Sequence, residues 1–193
     1  MKLADLNPNL LYTYADYLKW QFEERVELIK GKIFELSAPN SMHQEISGYI
    51  YLSIGNYLKG KPCKVFSAPY DVRIPRKTKD DKDVITVLQP DICVVCDKSK
   101  RDLRGCFGAP DIVVEITSPS NNVNELKNKY EIYEEAGVKE YWVVLPEPKT
   151  FLVYTLVEGK YHASRLMVAG DVFQSSVLEG FSLNLKDMFD SLD

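Results

Sequence analysis

Apolar residues recur at helical spacing in three segments of the chain, and each segment predicts a helix. Residues 12–24 predict a short helix with Thr13 as its N-cap. A second helix opens at residues 41–44, which match a capping box, and stops at Gly60. A third is expected near residues 122–136. The apolar stripes of the last two are Met42, Ile46, Tyr49, Ile50, Ile54, Tyr57 and Leu58, then Val123, Leu126, Tyr130, Tyr133 and Gly137.

Alternating and β-branched runs predict the strands. Residues 26–36 form two strands around a Lys30-Gly31 turn. Residues 75–83 are a polar excursion, and residues 97–110 are expected to be a loop. Further strands are expected near residues 63–67, 70–74, 84–88, 91–96, 111–116 and 140–145, and the tail to residue 179 alternates like β-hairpins with turns at Glu158-Gly159 and Ala169-Gly170.

The order of these elements indicates an α/β protein of the mixed α+β kind. Helix, mostly antiparallel strands, a helical crossover and more strands follow one another without a repeat or a linker. The 193 residues fit a single domain. We expect a core over about residues 12–146 and a β-rich C-terminal extension over about residues 147–193.

The net charge limits the possible functions of the protein, and the cysteine content indicates its cellular compartment. The formal net charge of −4 argues against a protein that coats DNA, but it is compatible with an acidic metal site. Cys93 and Cys96 alternate along a predicted strand and point to opposite faces, which suits neither a disulfide nor a shared zinc. We therefore expect reduced thiols. The N-terminus lacks an apolar signal core and no run reaches membrane-spanning length, so a cytoplasmic protein is expected.

Two short acidic segments, residues 90–92 and 111–116, contain the main candidate catalytic residues. Glu115 lies in a nearly continuous apolar run, where an ionised carboxylate needs an ion-pair partner or a metal. Asp91 follows Pro90 at a strand start and is either a turn residue or a second metal ligand. Asp111 lies about 13 Å from Glu115 at roughly 3.3 Å per residue, too far to share an ion with it.

The sequence pattern alone does not decide whether Glu27 is a third acidic ligand or which lysine is the cation at the site. Glu27 is a further acidic ligand if its face of the first strand points inward, and a solvated residue otherwise. Lys127 and Lys129 flank the apolar stripe of the third helix on opposite sides, so helix geometry does not choose between them. Carboxylates and a lysine around a hard cation indicate phosphodiester hydrolysis, in which the lysine orients water or stabilises charge on the phosphate.

Several ordered motifs resemble one family. The chain resembles the Uma-two family of restriction-endonuclease-like proteins, within the PD-(D/E)-x-K nuclease superfamily, over about residues 12–146. The matching segments are residues 12–17, 25–31, 39–44, 89–91, 110–119 and the Lys129, Tyr133 and Gly137–Trp142 pattern.

The resemblance implies a restriction-endonuclease-like core, with a central mixed β-sheet flanked by helices, and Mg²⁺- or Mn²⁺-dependent nuclease chemistry. It implies Asp91 and Glu115 as metal ligands, and Glu27 as an additional acid. The superfamily lysine normally stands two residues after the glutamate, where this chain has Thr117. The family pattern supplies Lys129 instead. As a neighbour of Glu115 on the strand, Ile116 is well placed to offer its carbonyl oxygen as a further ligand.

DNA is the expected partner. His43 is either a phosphate contact or a locally bonded helix-start residue. Arg73, Arg76 and Lys77 are the first candidates for contacts to DNA, against the alternative of an ordinary solvated loop. A homodimer is expected by analogy with nucleases that cut both strands.

Three functions compete. The first is a metal-dependent endonuclease. The second is a nuclease-like binding module that does not cut, which Thr117 and the modest basic charge favour. The third is a glycosidase that uses paired carboxylates about 5–9.5 Å apart without a metal.

Overall fold

The structure is a computed structural model that describes residues 2–117 and 123–190, with the backbone alone at 123–125. Its helices are α1 (Tyr14–Tyr17), α2 (Ser41–Tyr57), α3 (Val123–Ala136) and α4 (Leu185–Asp190). Its strands are β1 (Val26–Ile29), β2 (Lys32–Glu35), β3 (Lys64–Ser67), β4 (Val72–Pro75), β5 (Val84–Leu88), β6 (Ile92–Val95), β7 (Arg101–Asp102), β8 (Gly105–Phe107), β9 (Ile112–Ile116), β10 (Glu140–Leu145), β11 (Thr150–Val157), β12 (Lys160–Ala163), β13 (Met167–Val168), β14 (Val172–Gln174) and β15 (Ser182–Asn184).

The strands form two mixed sheets and a small C-terminal pair. The first sheet has the order β2-β1-β5-β4-β8-β7, and the second has the order β12-β11-β10-β9-β6-β3, with β13 added beside β11. Strands β14 and β15 pair with each other. The mixed α+β class is as predicted. The second sheet is a mixed sheet with α2 on one face and α3 on the other, as expected, but the division of the strands into two large sheets was not predicted. The chain passes from β5 in the first sheet to β6 in the second at residues 89–91, where Pro90 has no N–H to continue a ladder.

Strand β9 is buried on both faces, and this explains its apolar run. Ile112, Val114 and Ile116 enter a core shared with α2 and the C-terminal elements. Val113 enters a second core shared with α3 and β10. Because side chains alternate along a strand, Glu115 points to the same side as Val113, toward α3.

Three local predictions need correction. The helix expected over residues 12–24 is limited to α1, because Trp20 leaves the helix and packs its ring against Tyr12, Tyr17 and Phe22. The N-cap of α2 is Asn40, whose side chain accepts a hydrogen bond from the His43 amide. The segment expected to be a loop at residues 97–110 contains the antiparallel pair β7–β8.

Gly105 makes the β8 pairing possible. Its φ is +119°, and a Cβ atom there would lie 2.2 Å from the Asp71 carbonyl oxygen. That close approach lets the Cys106 amide donate to the same oxygen, at 2.8 Å, so that β8 lies beside β4.

The C-terminal extension forms the expected hairpin at Glu158-Gly159 and adds one helix that was not predicted. The hairpin expected at Ala169-Gly170 is wrong, because β13 pairs with β11 and β14 pairs with β15. Strands β11 and β12 are joined at Glu158-Gly159, where both residues have positive φ, as a tight hairpin turn requires. Helix α4 follows β15 directly, and its Leu185, Met188 and Phe189 side chains are buried in the core beside α2.

The expectation of four reduced thiols is wrong for two of them. Cys63 and Cys96 form a disulfide. The β3–β6 register pairs Lys64 with Val95, so these cysteines are the next cross-strand pair, a relationship that the sequence alone does not reveal. Cys93 and Cys106 are buried free thiols. Within residues 2–117 and 123–190, no helix is long and apolar enough to cross a membrane.

Candidate active site

A cleft of about 470 Å³ contains four of the five residues predicted to be catalytic or to bind the metal. One wall is the start of α2, and the other is the chain that leaves β2. Asp91, Glu115, Ile116, Lys129 and His43 all line it. Residues from four separate parts of the chain therefore meet in one cavity.

Asp91 and Glu115 converge because of the β6–β9 register. The antiparallel ladder pairs Ile92 with Val114, and one step further places Asp91 opposite Glu115. Directly opposed residues have Cβ atoms about 5 Å apart. The Asp91 Oδ2 atom accepts a hydrogen bond from the Ile116 amide at 2.7 Å, which ties the two strand ends together. Since opposed residues in a ladder place their side chains on the same face of the sheet, this register favours the convergence of the two carboxyl groups.

Lys129 is the cation at the site, and Lys127 is not. The Lys129 ammonium lies 3.0 Å from Glu115 Oε2 and 3.4 Å from Glu27 Oε1, and the residue is only 4% exposed. Lys127 is on the solvent side of α3 and faces Glu131 at 3.9 Å. Lys129 shares the buried helix face with Tyr133, because residues four apart lie above one another on a helix.

Glu27 points inward and supports the lysine. It is 1% exposed, and its Oε1 atom also accepts a hydrogen bond from the Gln89 amide at 2.7 Å. It is not among the residues that line the cleft. Its contacts are thus those of a partner for Lys129 and for the β5–β6 connection.

The candidate DNA contacts are scattered. His43 is in the cleft, with Nε2 at 3.1 Å from Asp91 Oδ2. Arg76 and Lys77 are exposed on the loop between β4 and β5. That loop is at the end of the hairpin opposite Gln89, about 17 Å away for five strand residues at roughly 3.3 Å each.

Arg73 is not a surface residue, so the prediction that it contacts DNA is wrong. Its side chain is fully buried, and its Nη2 atom is 2.6 Å from Asp102 Oδ1. The guanidinium lies over the rings of Tyr14 and Phe107, each 5.4 Å away. These aromatic and acidic partners come from α1, β7 and β8, which the sequence pattern does not bring to β4.

Tyr133 and Gln89 are site residues that the sequence analysis missed. The Tyr133 hydroxyl donates a hydrogen bond to Glu115 Oε1 at 2.7 Å. The Gln89 side chain links the site to Asp71 and Tyr17 by further hydrogen bonds. Tyr133 was assigned to the apolar stripe of the third helix. Its position four residues after Lys129 was the signal that could have identified it.

The site carries more negative than positive charge. Glu27, Asp91 and Glu115 oppose the single ammonium of Lys129. Burial raises the pKa of Glu115 to about 8, with repulsion from Asp91 and Glu27 adding to the effect of burial and Lys129 opposing it. Burial disfavours the ammonium of Lys129, but attraction to Glu115 and Glu27 prevails and raises its pKa well above the ordinary value.

The donor set fits a hard divalent cation. Carboxylate oxygens of Asp91 and Glu115, with the Ile116 carbonyl beside them, are the oxygen ligands that Mg²⁺ and Mn²⁺ prefer. In residues 2–117 and 123–190, no three His, Cys, Asp or Glu side chains form a metal-binding group. A cation here would therefore rely on two side chains, and Mg²⁺ commonly keeps several waters in such sites.

The fold defines the structural class of the protein. It is shared with a solved structure from Anabaena variabilis described as a "putative nuclease belonging to DUF820". The TM-score is 0.74, and the match covers 94% of this chain and 99% of that one. At 22% identity, the likeness establishes the fold alone.

The family is established by sequence. The family model "Uma2: Putative restriction endonuclease" matches residues 14–186, and the chain belongs to that family. A Synechocystis sp. protein named "Uncharacterized protein slr1290" is 25% identical over 120 residues, or 61% of this chain. The chain spans 60% of the length of that relative.

Proposed function

We propose that the protein is a Mg²⁺- or Mn²⁺-dependent endonuclease that hydrolyses phosphodiester bonds in DNA. The observation that carries this proposal is the convergence of Asp91 with the buried Glu115 and Lys129 in one cleft. Membership of the family described as "Putative restriction endonuclease" supports the same chemistry.

Each residue has a distinct role in the proposed reaction. Asp91 and Glu115 would hold the cation, together with the Ile116 carbonyl oxygen. When bound, the cation would supply Lewis-acid polarisation of the phosphoryl group and a more acidic water. The Lys129 ammonium orients the attacking water or stabilises negative charge that develops on the phosphate. Glu27 keeps that ammonium charged and in place, since its carboxylate lies 3.4 Å away.

A plasmid-nicking assay tests the proposal. Supercoiled plasmid is incubated with the purified protein and Mn²⁺, and the nicked product is measured for wild type, Asp91→Asn and Glu115→Gln. We expect both substitutions and EDTA to reduce nicking by about 100-fold or more, the scale of losing one group that stabilises the transition state. Glu131→Gln, a change on the exposed side of α3, is the matched control and should retain activity. Equal nicking by wild type and Glu115→Gln rules out this active site.

A binding module is the second candidate, because the cleft is poor in available cations. Among the described residues that line it, Arg25 donates to Gln89 Oε1 at 2.8 Å, and Lys129 is buried against Glu115. Thr117 also stands where the superfamily has its lysine. Mn²⁺-dependent DNA binding without cleavage in the same assay favours this second function.

A further inference from the structure

Both oxygens of the Glu115 carboxylate are engaged, each by a different residue of α3. Lys129 Nζ is 3.0 Å from Oε2, and the Tyr133 hydroxyl donates to Oε1 at 2.7 Å. The two donors are four residues apart, on the same face of the helix. Two side chains on one face of α3 thus contact the Glu115 carboxylate, one at each oxygen.

The two donors lie on different sides of Glu115. Lys129 and Glu115 line the cleft, whereas Tyr133 is fully buried in the core between α3 and β10. The Tyr133 ring packs against Tyr141, with ring centroids 5.0 Å apart. Tyr133 therefore contacts the carboxylate from the core side, and the Oε2 atom stays on the side of the cleft.

The geometry points to Tyr133 as a positioning residue for Glu115, an inference that rests on the proposed function. The hydroxyl fixes the Glu115 side chain so that Oε2 remains available to a cation beside Lys129. The terminal torsion of a glutamate is broad, so a carboxylate held at one point alone samples several orientations. A partner that orients a metal-binding carboxylate typically changes metal affinity 10–100-fold.

Tyr133 is the donor in this contact, and the Oε1 atom of Glu115 is the acceptor.

The test compares Tyr133→Phe with Tyr141→Phe. Both substitutions remove one hydroxyl from the same tyrosine cluster without changing ring packing. The Tyr141 hydroxyl is buried and, within the described part of the chain, has no hydrogen-bond partner. Mn²⁺ binding is measured by titration calorimetry, nicking is followed as a function of Mn²⁺ and DNA concentration, and thermal unfolding reports the fold.

We expect Tyr133→Phe to bind Mn²⁺ about 10–100-fold more weakly and to need correspondingly more Mn²⁺ for half-maximal nicking. Its KM for DNA should stay at the wild-type value, a separation that a general loss of stability does not produce. Tyr141→Phe should match wild type in all three measurements.

Three results contradict the inference. If Tyr133→Phe retains wild-type Mn²⁺ affinity and nicking, the hydroxyl does not position the carboxylate, and the proposed function stands. If Tyr133→Phe is unfolded at 25 °C while Tyr141→Phe is folded, the role is in stability. If wild type itself neither binds Mn²⁺ nor nicks DNA, the proposed function and this inference fail together.

Discussion

The Lys129 ammonium lies 3.0 Å from the Glu115 carboxylate, although the two residues are 14 positions apart and on different elements. Thr117, two residues after the glutamate, instead donates its amide to the Val144 carbonyl. A lysine from α3 therefore occupies the space beside the glutamate that a lysine on the strand would reach. The ammonium beside Glu115 thus comes from α3 and not from position 117.

The first prediction concerns the stability that Lys129 contributes. Lys129→Met removes the ammonium and leaves Glu27 buried beside Glu115 without its cation. Breaking a buried ion pair in this way costs about 3–5 kcal/mol. Urea denaturation of the metal-free protein measures this loss.

Lys127→Met is the matched control for that experiment. Lys127 is exposed on the same helix, so its substitution should change stability by no more than about 0.5 kcal/mol. Similar unfolding free energies for the two variants would show that the Lys129 contacts contribute nothing to folding.

The second prediction is a pH dependence of stability in the metal-free protein. Burial raises the pKa of Glu115 from 4.5 to about 8, so between these values the folded state binds more protons than the unfolded state. The free energy of unfolding must then fall as the pH rises through this window. The pKa of Lys129 is raised above 10.5, so its contribution stays constant over the same range.

Unfolding midpoints measured in EDTA from pH 5 to pH 8 check this sign. Glu115→Gln cannot lose a proton and keeps an oxygen that can accept from Tyr133, so its profile should be flatter. A wild-type profile that rises with pH, or one identical to that of Glu115→Gln, would contradict the raised pKa.

The convergence of Asp91 and Glu115 was predictable from the sequence because the position of each residue follows from a strand pattern. Pro90 marks the start of β6, and the apolar run places Glu115 inside β9. The Tyr133 contact does not follow from the apolar stripe alone, because a stripe does not distinguish a tyrosine that only packs from one that also donates. The Cys63–Cys96 disulfide likewise depends on the β3–β6 register, which no local pattern contains.

Arg73 shows why the nucleic-acid contacts were harder to predict. An arginine next to a polar excursion has the sequence context of a surface residue. The fold instead places it under Tyr14 and beside Asp102, both far along the chain. Contacts with residues distant in the sequence therefore determine the burial of Arg73.

The third prediction separates a packing role of Arg73 from a DNA-binding role. Its Nε and Nη1 atoms are buried and, in the described part of the chain, lack hydrogen-bond partners. Arg73→Met keeps most of the volume but loses the ion pair with the half-exposed Asp102 and the cation contacts with Tyr14 and Phe107, so it should cost about 1–3 kcal/mol. Arg73→Ala leaves a cavity and should cost about 2–5 kcal/mol, as truncation of other large buried side chains does.

Urea denaturation distinguishes the two Arg73 variants, and fluorescence anisotropy with labelled DNA measures binding. Arg73→Met should bind DNA as wild type does. Equal loss of DNA affinity in Arg73→Met and Arg73→Ala would restore the interpretation of Arg73 as a DNA contact.

The last prediction concerns Glu140, a buried carboxylate that joins the C-terminal extension to β10. It is 1% exposed and accepts hydrogen bonds from Trp142 Nε1 at 2.9 Å, Ser175 Oγ at 2.8 Å and the Ser176 amide at 2.6 Å. Glu140→Gln replaces one acceptor oxygen with an amide group that faces these donors. Leaving buried donors unsatisfied costs about 1–3 kcal/mol.

Hydrogen exchange identifies the residues whose amide protection decreases when these hydrogen bonds are lost. The amides of residues 175–178 should exchange faster in Glu140→Gln, while those of β9 keep their protection, because the hydrogen bonds lost hold the extension and not the sheet. Glu179→Gln, an exposed change in the same segment, should leave both regions unchanged. Unchanged protection of residues 175–178 in Glu140→Gln would mean that apolar contacts such as Trp142 with Phe173, at 4.9 Å between ring centroids, are sufficient to hold the extension in place.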